Sequence, residues 1–253
     1  RNFRNEGIDR QHNPEFTMME LYEAFSDLDG VMELQEDLFA TLAREVNSDG
    51  GTTVQWGDLE IDYGRPFERV RYGDLFRQGT GLEMSDREGV RSAAEAAGMP
   101  DVDKQDHWLL VDALFELHGE PAIDPSRPTF VTHFPAELSP LTRPDPEDPE
   151  LALRGELFIG GMELSNGYTE LNDPDIQLAR FTEQLSGADD EASTFRSLDE
   201  DFINALRVGM PPAGGLGVGI DRVVMLMTGC TSIRDVILFP LLKPEGGESD
   251  EAS

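Results

Sequence analysis

Lysine is almost missing from this chain. Only Lys104 and Lys243 are lysine, and the other 18 of its 20 basic residues are arginine. Against them stand 51 Asp and Glu, for a formal net charge of −31. Such a surface repels nucleic acid over most of its area, which excludes a general polyanion-binding role. Cysteine occurs once, at Cys230, so neither an intramolecular disulfide nor a cysteine-built zinc site can form. A reducing, cytoplasmic setting fits that scarcity. No run of 18 apolar residues and no signal-peptide pattern is present, so a soluble protein without a membrane partner is expected. What remains is ample for folding: 253 residues with 38% hydrophobic content can bury one large core or two modest ones. The acids are spread along the chain, so disorder is expected only at the ends, above all in the acidic tail 245–253.

The most distinctive stretch is Gly214-Gly215-Leu216-Gly217-Val218-Gly219-Ile220-Asp221-Arg222, which leads into the apolar Val223–Met227. Glycine allows close backbone approach and positive φ. A glycine-rich run opening a helix also offers N–H groups and a positive dipole end to an anion. The spacing matches neither the dinucleotide fingerprint nor the P-loop. By itself the run reads first as a tight strand-to-helix packing point.

At the other end, Phe3–Glu6 and Phe16–Tyr22 read as strands flanking a loop rich in Gly, Asp, Asn and Pro. Alternation puts Phe16, Met18, Glu20 and Tyr22 on one face, and Arg4 and Glu6 on another that the hairpin can bring alongside. A helix is expected over Val31–Val46, with Leu34, Leu38, Leu42 and Val46 as its apolar stripe. A hairpin is expected at Val54–Tyr63 about Gly57-Asp58. Residues of about 65–125 read as a small helical insertion beside the main sheet, with helices over Tyr72–Gln78, Ser85–Ala97 and Lys104–Leu117. His107 and His118 in it read as surface or capping histidines. Thr129–Phe134 is an expected strand closed by Pro135, and Pro140–Pro149 a loop.

Gly160-Gly161 is a two-residue hairpin signal. Pairing across it sets Ile159 opposite Met162 and Phe158 opposite Glu163, which makes Glu156 and Glu163 diagonal neighbours on one face. Carboxylates held so close either frame a hard divalent cation such as magnesium or are solvated surface acids. Asn166, Tyr168 and Glu170 have the opposite parity and share that face only if a bulge intervenes, for which Gly167 is the expected place. Helices follow at Asp175–Leu185 and Ser197–Leu206, with 188–193 as a loop between them, and then an apolar strand at Val236–Phe239.

These pieces resemble one family. Phe3-Arg4-Asn5-Glu6, with His12, Phe16 and Glu20, resembles motif 2 of the class II aminoacyl-tRNA synthetases. Gly215–Arg222 resembles their motif 3. Arg-Asn-Glu-Gly-Ile, His-Asn-Pro-Glu-Phe-Thr-Met-Met-Glu-Leu-Tyr, Pro-Ala-Glu-Leu-Ser-Pro-Leu and Ile-Arg-Asp-Val-Ile-Leu-Phe-Pro are similar to the lysyl branch in particular. The resemblance covers residues 1–244 as part of a catalytic domain. It implies an α+β fold, an antiparallel sheet flanked by helices with the small helical insertion. Arg1 falls inside the pattern, so the chain reads as a C-terminal portion, without the N-terminal anticodon-binding domain and motif 1.

The activity implied is formation of lysyl-adenylate from L-lysine and ATP and transfer of lysine to tRNA(Lys), in a homodimer when full length. Arg4 and Arg222 match the catalytic arginines. Arg4, Asn5, Glu6, His12, Asn13, Phe16, Glu163, Leu164, Gly219, Ile220, Asp221 and Arg222 match ATP-binding positions. Glu20, Tyr22, Asn166, Tyr168 and Glu170 match lysine-binding positions, and Glu156 and Glu163 match ligands of Mg2+. The alternatives are a catalytically incomplete fragment and a non-catalytic lysine- and ATP-binding paralogue.

The spread of acidic charge suggests adaptation to high salt, where screening removes self-repulsion. On this hypothesis the Tm rises as KCl is taken from low to molar concentration. A thermal melt series in which Tm falls would overturn it.

Overall fold

The computed structural model describes residues 1–5, 7–186 and 198–241. Its centre is a six-stranded sheet. The strands are β3 (Met18–Ala24), β6 (Glu68–Arg71), β7 (Thr129–Pro135), β8 (Leu151–Ile159), β9 (Met162–Thr169) and β10 (Ala213–Gly219). They lie in the order β3-β10-β9-β8-β7-β6. All neighbours are antiparallel except β6 and β7, which run parallel. The sheet is therefore mixed. The expected insertion opens with a strand of the main sheet, β6, too short at four residues to announce itself. Two small hairpins stand outside it: β1 (Asn2–Phe3) with β2 (Glu15–Phe16), and β4 (Thr53–Trp56) with β5 (Leu59–Asp62).

One face of the sheet is covered by helices α1 (Leu28–Val46) and α7 (Ile220–Thr228) and by the β4–β5 hairpin. Asp27 caps α1 by accepting from the Gly30 N–H at 3.1 Å, which satisfies one of the helix's orphan donors. The buried side of α1 is Leu28, Val31, Met32, Gln35, Glu36, Phe39, Ala40 and Ala43. The expected stripe is the wrong one: Leu34 and Val46 are exposed and Leu38 and Leu42 only partly covered. A pure i+4 series advances 40° per step around a 3.6-residue helix and leaves the buried face, whereas mixed three- and four-residue steps stay on it. Gln35 reaches Ser165 on β9 from this helix, so a polar contact sits inside the core.

The other face carries the insertion at one end: α2 (Tyr72–Thr80), α3 (Arg87–Ala96), and α4 (His107–Leu114) continued by a π-helical turn, Phe115–Gly119. Tyr72, Phe76, Leu110, Leu114 and Phe115 pack on Val131, Phe134 and Phe158 of the sheet. His107 is buried, with Nε2 2.8 Å from the Met84 carbonyl, rather than on the surface. Two further helices, α5 (Pro174–Ser186) and α6 (Glu200–Val208), follow β9. The expected strand at Val236–Phe239 is absent. A short 3-10 turn at Ile233–Asp235 leads there instead, and Leu238 and Phe239 are exposed. No described helix is long and apolar enough to cross a membrane. The 188–193 loop and the tail 245–253 lie outside the described residues.

The start of the insertion is tied to α1 through one buried carboxylate. Glu36 is 2% exposed. It accepts from Arg65 Nε at 3.1 Å and from the Phe67 N–H at 3.2 Å, and faces Arg69 at 3.5 Å. Removing one partner of a buried ionic cluster leaves the others desolvated and unpaired. Because Arg65 and Arg69 keep access to water, Glu36→Ala is expected to cost about 2–3 kcal/mol, measured by urea denaturation.

Candidate active site

Where the insertion ends, the same face of the sheet forms a cleft of about 630 Å3. Its floor follows from register. Glu20 lies opposite Gly217, Gly217 opposite Asn166, and Asn166 opposite Glu156. The next row is Tyr22, Gly215, Tyr168 and Arg154. Alternation turns these residues to one side of the sheet, and the alternate residues of β10, Leu216 and Val218, are buried on the other. The glycines therefore make a trough between two walls of polar side chains. None of the glycines in this run has positive φ. Their role is absent bulk, not unusual backbone; the positive φ values are at Gly160 (64°) and Gly161 (71°), in the β8–β9 turn.

The walls hold together because β9 contains a bulge. Phe158 faces Glu163 and Leu157 faces Ser165, so Leu164 is the extra residue. That single insertion turns Glu163, Asn166, Tyr168 and Glu170 to one side. The bulge is thus three residues before the expected place. Gly167 is in regular register with Gly155, and a Cβ there would press on Val31 Cγ2 at 3.2 Å. Its role is to let α1 lie against the sheet.

One end of the cleft is cationic. The Arg4 guanidinium stands over the Phe16 ring at 5.2 Å from its centroid, a cation–π distance. Arg222 donates to the Glu163 carbonyl at 2.5 Å and lies 3.0 Å from His12 Nε2. His12 Nδ1 lies 2.9 Å from Asp9, which assigns a neutral ring donating to Asp9 and accepting from Arg222. Asp9 also accepts from the Gln11 and His12 N–H groups at 2.7 Å, which shapes the loop. Asn13 is buried, donates to the Glu15 carbonyl at 2.6 Å, and leaves its Oδ1 without a partner among the described residues. Asp221 accepts from the Thr17 N–H at 2.6 Å, and the Ile220 N–H donates to the Thr17 carbonyl at 3.0 Å. Asp221 and Ile220 thus join the start of α7 to the β2–β3 segment, a positioning role. Leu164 and Gly219 line the cleft, whereas Asn5 is exposed and is not among its lining residues. Glu6 lies outside the described residues.

The opposite end is acidic. Glu20, Tyr22, Tyr168 and Glu170 line it. Burial pushes Glu170 up to about 7, and its carboxylate has no hydrogen-bond or ion-pair partner among the described residues. Burial, with Glu170 and Glu20 nearby, raises Tyr22; burial lifts Tyr168 to about 12.

Between the ends stand Glu156 and Glu163. Burial, then the charge of Glu163, drives Glu156 well above the usual carboxylate range. Arg154 and Asn166 both donate to the Glu156 Oε1, the latter at 3.2 Å. No group of three or more His, Cys, Asp or Glu suited to a metal occurs among the described residues. The pair alone fits an ion such as magnesium, which uses one or two carboxylates with substrate phosphates. Sequence reasoning missed Arg154, although its i,i+2 spacing from Glu156 on a strand places both on one face. It also missed the loop Leu138–Thr142 that lines the cleft; its Ser-Pro-Leu signature was legible, but its place was not.

A six-stranded mixed sheet flanked by helices, with a cationic loop and a glycine-floored strand meeting in one cleft, is the architecture of a class II synthetase core. The chain belongs to the family described as tRNA synthetases class II (D, K and N), whose model matches residues 1–243. Within it, the chain is 47% identical over 252 residues to the lysine–tRNA ligase of Aquifex aeolicus (strain VF5), covering 97% of this chain and 41% of that protein. It is 47% identical to that of Pelotomaculum thermopropionicum and 45% identical to that of Escherichia coli (strain K12), covering 96% of this chain and 48% of each relative. The chain spans about half the length of the curated relatives it matches.

If Glu163 contributes to the elevation of Glu156, Glu163→Gln lowers the Glu156 midpoint by relieving like-charge repulsion. Carboxyl 13C NMR titration checks this. An unchanged midpoint would assign the elevation to burial alone.

Proposed function

We propose that the protein is a lysine–tRNA ligase, acting on L-lysine, ATP and tRNA(Lys), and that the full-length enzyme works as a homodimer in the cytoplasm. The observation that carries this reading is the polarity of the cleft: unpaired acids at one end, paired arginines at the other. A substrate with two amino groups and a carboxylate suits that gradient, and a neutral side chain would leave Glu170 buried without a partner. The 44–47% identity to lysine–tRNA ligases over nearly all of this chain supports the same choice. Aspartate or asparagine would meet like charge or an unpaired acid.

In the reaction, a lysine carboxylate oxygen attacks the α-phosphorus of ATP. The bond to the bridging oxygen breaks, and pyrophosphate leaves with both electrons. Arg4 would bridge the carboxylate and the α-phosphate and stabilise the charge on the phosphorane oxygens. Phe16 and Arg222 would sandwich the adenine, with Glu6 accepting from its amino group, and His12 and Asn13 would contact phosphate or ribose. No side chain need remove a proton, because the attacking carboxylate is already ionised. In the second step a terminal hydroxyl of tRNA(Lys) attacks the acyl carbon, the bond from that carbon to the adenylate phosphate oxygen breaks, and AMP leaves with its phosphate taking up the hydroxyl proton. Glu156 and Glu163 would hold Mg2+, which supplies charge neutralisation for the pyrophosphate. Asn166, Tyr168, Glu20 and Tyr22 would orient lysine. Arg4, Arg222, Glu156 and Glu163 are all present, which argues against a non-catalytic paralogue. Adaptation to high salt rests on composition alone.

The test is ATP–pyrophosphate exchange with each of the twenty amino acids in high KCl. Lysine is expected to be the one that supports exchange; exchange with another amino acid and none with lysine would overturn the reading. The pH dependence follows from Glu170. A carboxyl raised to about 7 is neutral below that pH and charged above it. The ε-ammonium stays charged throughout, so the lysine KM is expected to fall as pH rises from 6 to 8; a lysine KM that is flat or rises over that range would overturn the role of Glu170.

A further inference from the structure

The three glycines on the cleft face of β10 are not equivalent. A Cβ built on Gly219 would meet nothing nearer than the Leu164 carbonyl at 3.6 Å, and one on Gly217 only the Met18 Cε at 3.3 Å. A Cβ on Gly215 would fall inside the van der Waals radius of Glu170 Oε1, with Glu170 Cδ at 2.8 Å and Tyr22 Cδ1 at 3.2 Å. The carboxylate of Glu170 occupies the space that any side chain at 215 would fill. Gly214, on the reverse face, has a different reason for being glycine: its Cβ would strike Val31 and the Asp27 carbonyl, which belong to packing of α1.

We propose that Gly215 is a positioning residue that sets the specificity of the acidic end, by leaving the space in which the Glu170 carboxylate stands ready for a cationic side chain. This rests on the lysine-ligase reading of the cleft. Glu170 starts at the end of β9, where its backbone N–H donates to the Ala213 carbonyl at 2.9 Å. From there the side chain leans along β10 over residue 215 and beside Tyr22. Its carboxylate has no partner among the described residues, so the position is held by shape and not by hydrogen bonds. An added methyl would meet the far end of a flexible side chain. The backbone at 215 is not in the positive-φ region, so alanine is accommodated locally. The fold is then little disturbed, but the acid is displaced. The chemical class selected is an amino acid with a terminal ammonium, and the loss falls on discrimination against a neutral isostere such as norleucine.

Isothermal titration of L-lysine, norleucine and ATP separately into wild type, Gly215→Ala, Glu170→Gln and the double variant tests this. Gly215→Ala is expected to weaken lysine at least tenfold, leave ATP within twofold, and shrink the lysine-to-norleucine ratio. Because Gly215 acts through Glu170, the double variant is expected to bind lysine within twofold of Glu170→Gln alone, a non-additive cycle. Lysine binding by Gly215→Ala within twofold of wild type overturns the inference, as does additive loss or joint loss of ATP. If wild type binds ATP but no lysine, the reading of the cleft falls and the inference falls with it. Full lysine binding by wild type with an unaffected Gly215→Ala sinks the inference alone.

Discussion

Everything at the site depends on one strand being bare on one side. β10 sits between β3 and β9, where a strand of ordinary composition would raise a row of side chains against its neighbours. Glycine at 215, 217 and 219 removes that row, so the walls on either side face each other across a gap. The reverse face is the opposite in character, with Leu216 and Val218 sealed in the core. A strand half glycine is intrinsically weak. Here it is held by neighbours on both sides and by α1 and α7 behind it, so rigidity comes from surroundings and emptiness from sequence.

The second constraint is that the cationic end is made from distant pieces of chain. Thr17 is bonded to Asp221 through its N–H and to Ile220 through its carbonyl. Arg222, next along, is held by His12 and by the main chain at Glu163. Each guanidinium donor used in this way fixes the side chain before a ligand arrives, which reduces the ordering cost on binding. At the carboxylates of the cleft the arrangement differs. Glu156 is held by Arg154 and Asn166, whereas Glu170 is held by space. One acid is oriented by charge, the other by shape.

Much of this was legible in the residues. The Gly160-Gly161 turn and its register, the α4 segment and the shared face of Phe16, Met18, Glu20 and Tyr22 follow from alternation and turn chemistry, which are local. Three of the misplaced features have a non-local reason. The β9 bulge falls at Leu164 because Gly167 is needed elsewhere, against Val31. The buried stripe of α1 is chosen by the sheet and hairpin it packs on, and a partly polar face carrying Gln35 and Glu36 wins over a run of leucines. Val236–Phe239 has strand composition but does not pair with the sheet, whose outer strands are β3 and β6. Glycine in β10 was read as close approach, positive φ or tight packing; none of its glycines has positive φ, and on the cleft face they matter as absence of volume.

The position of β10, second from the edge of the sheet and beside β3, also sets an order in time. It is the last of the described strands, yet β3 pairs with β10 and with no other described strand. Met18 and its partner Gly219 are separated by about 200 residues, or roughly 10–40 s of synthesis at 5–20 residues per second. Until β10 is made, β3 lacks the one described strand it pairs with, and an unpaired strand invites aggregation. Glu20 and Glu23 guard it with charge meanwhile. An acid that lines the cleft thus also guards a waiting strand.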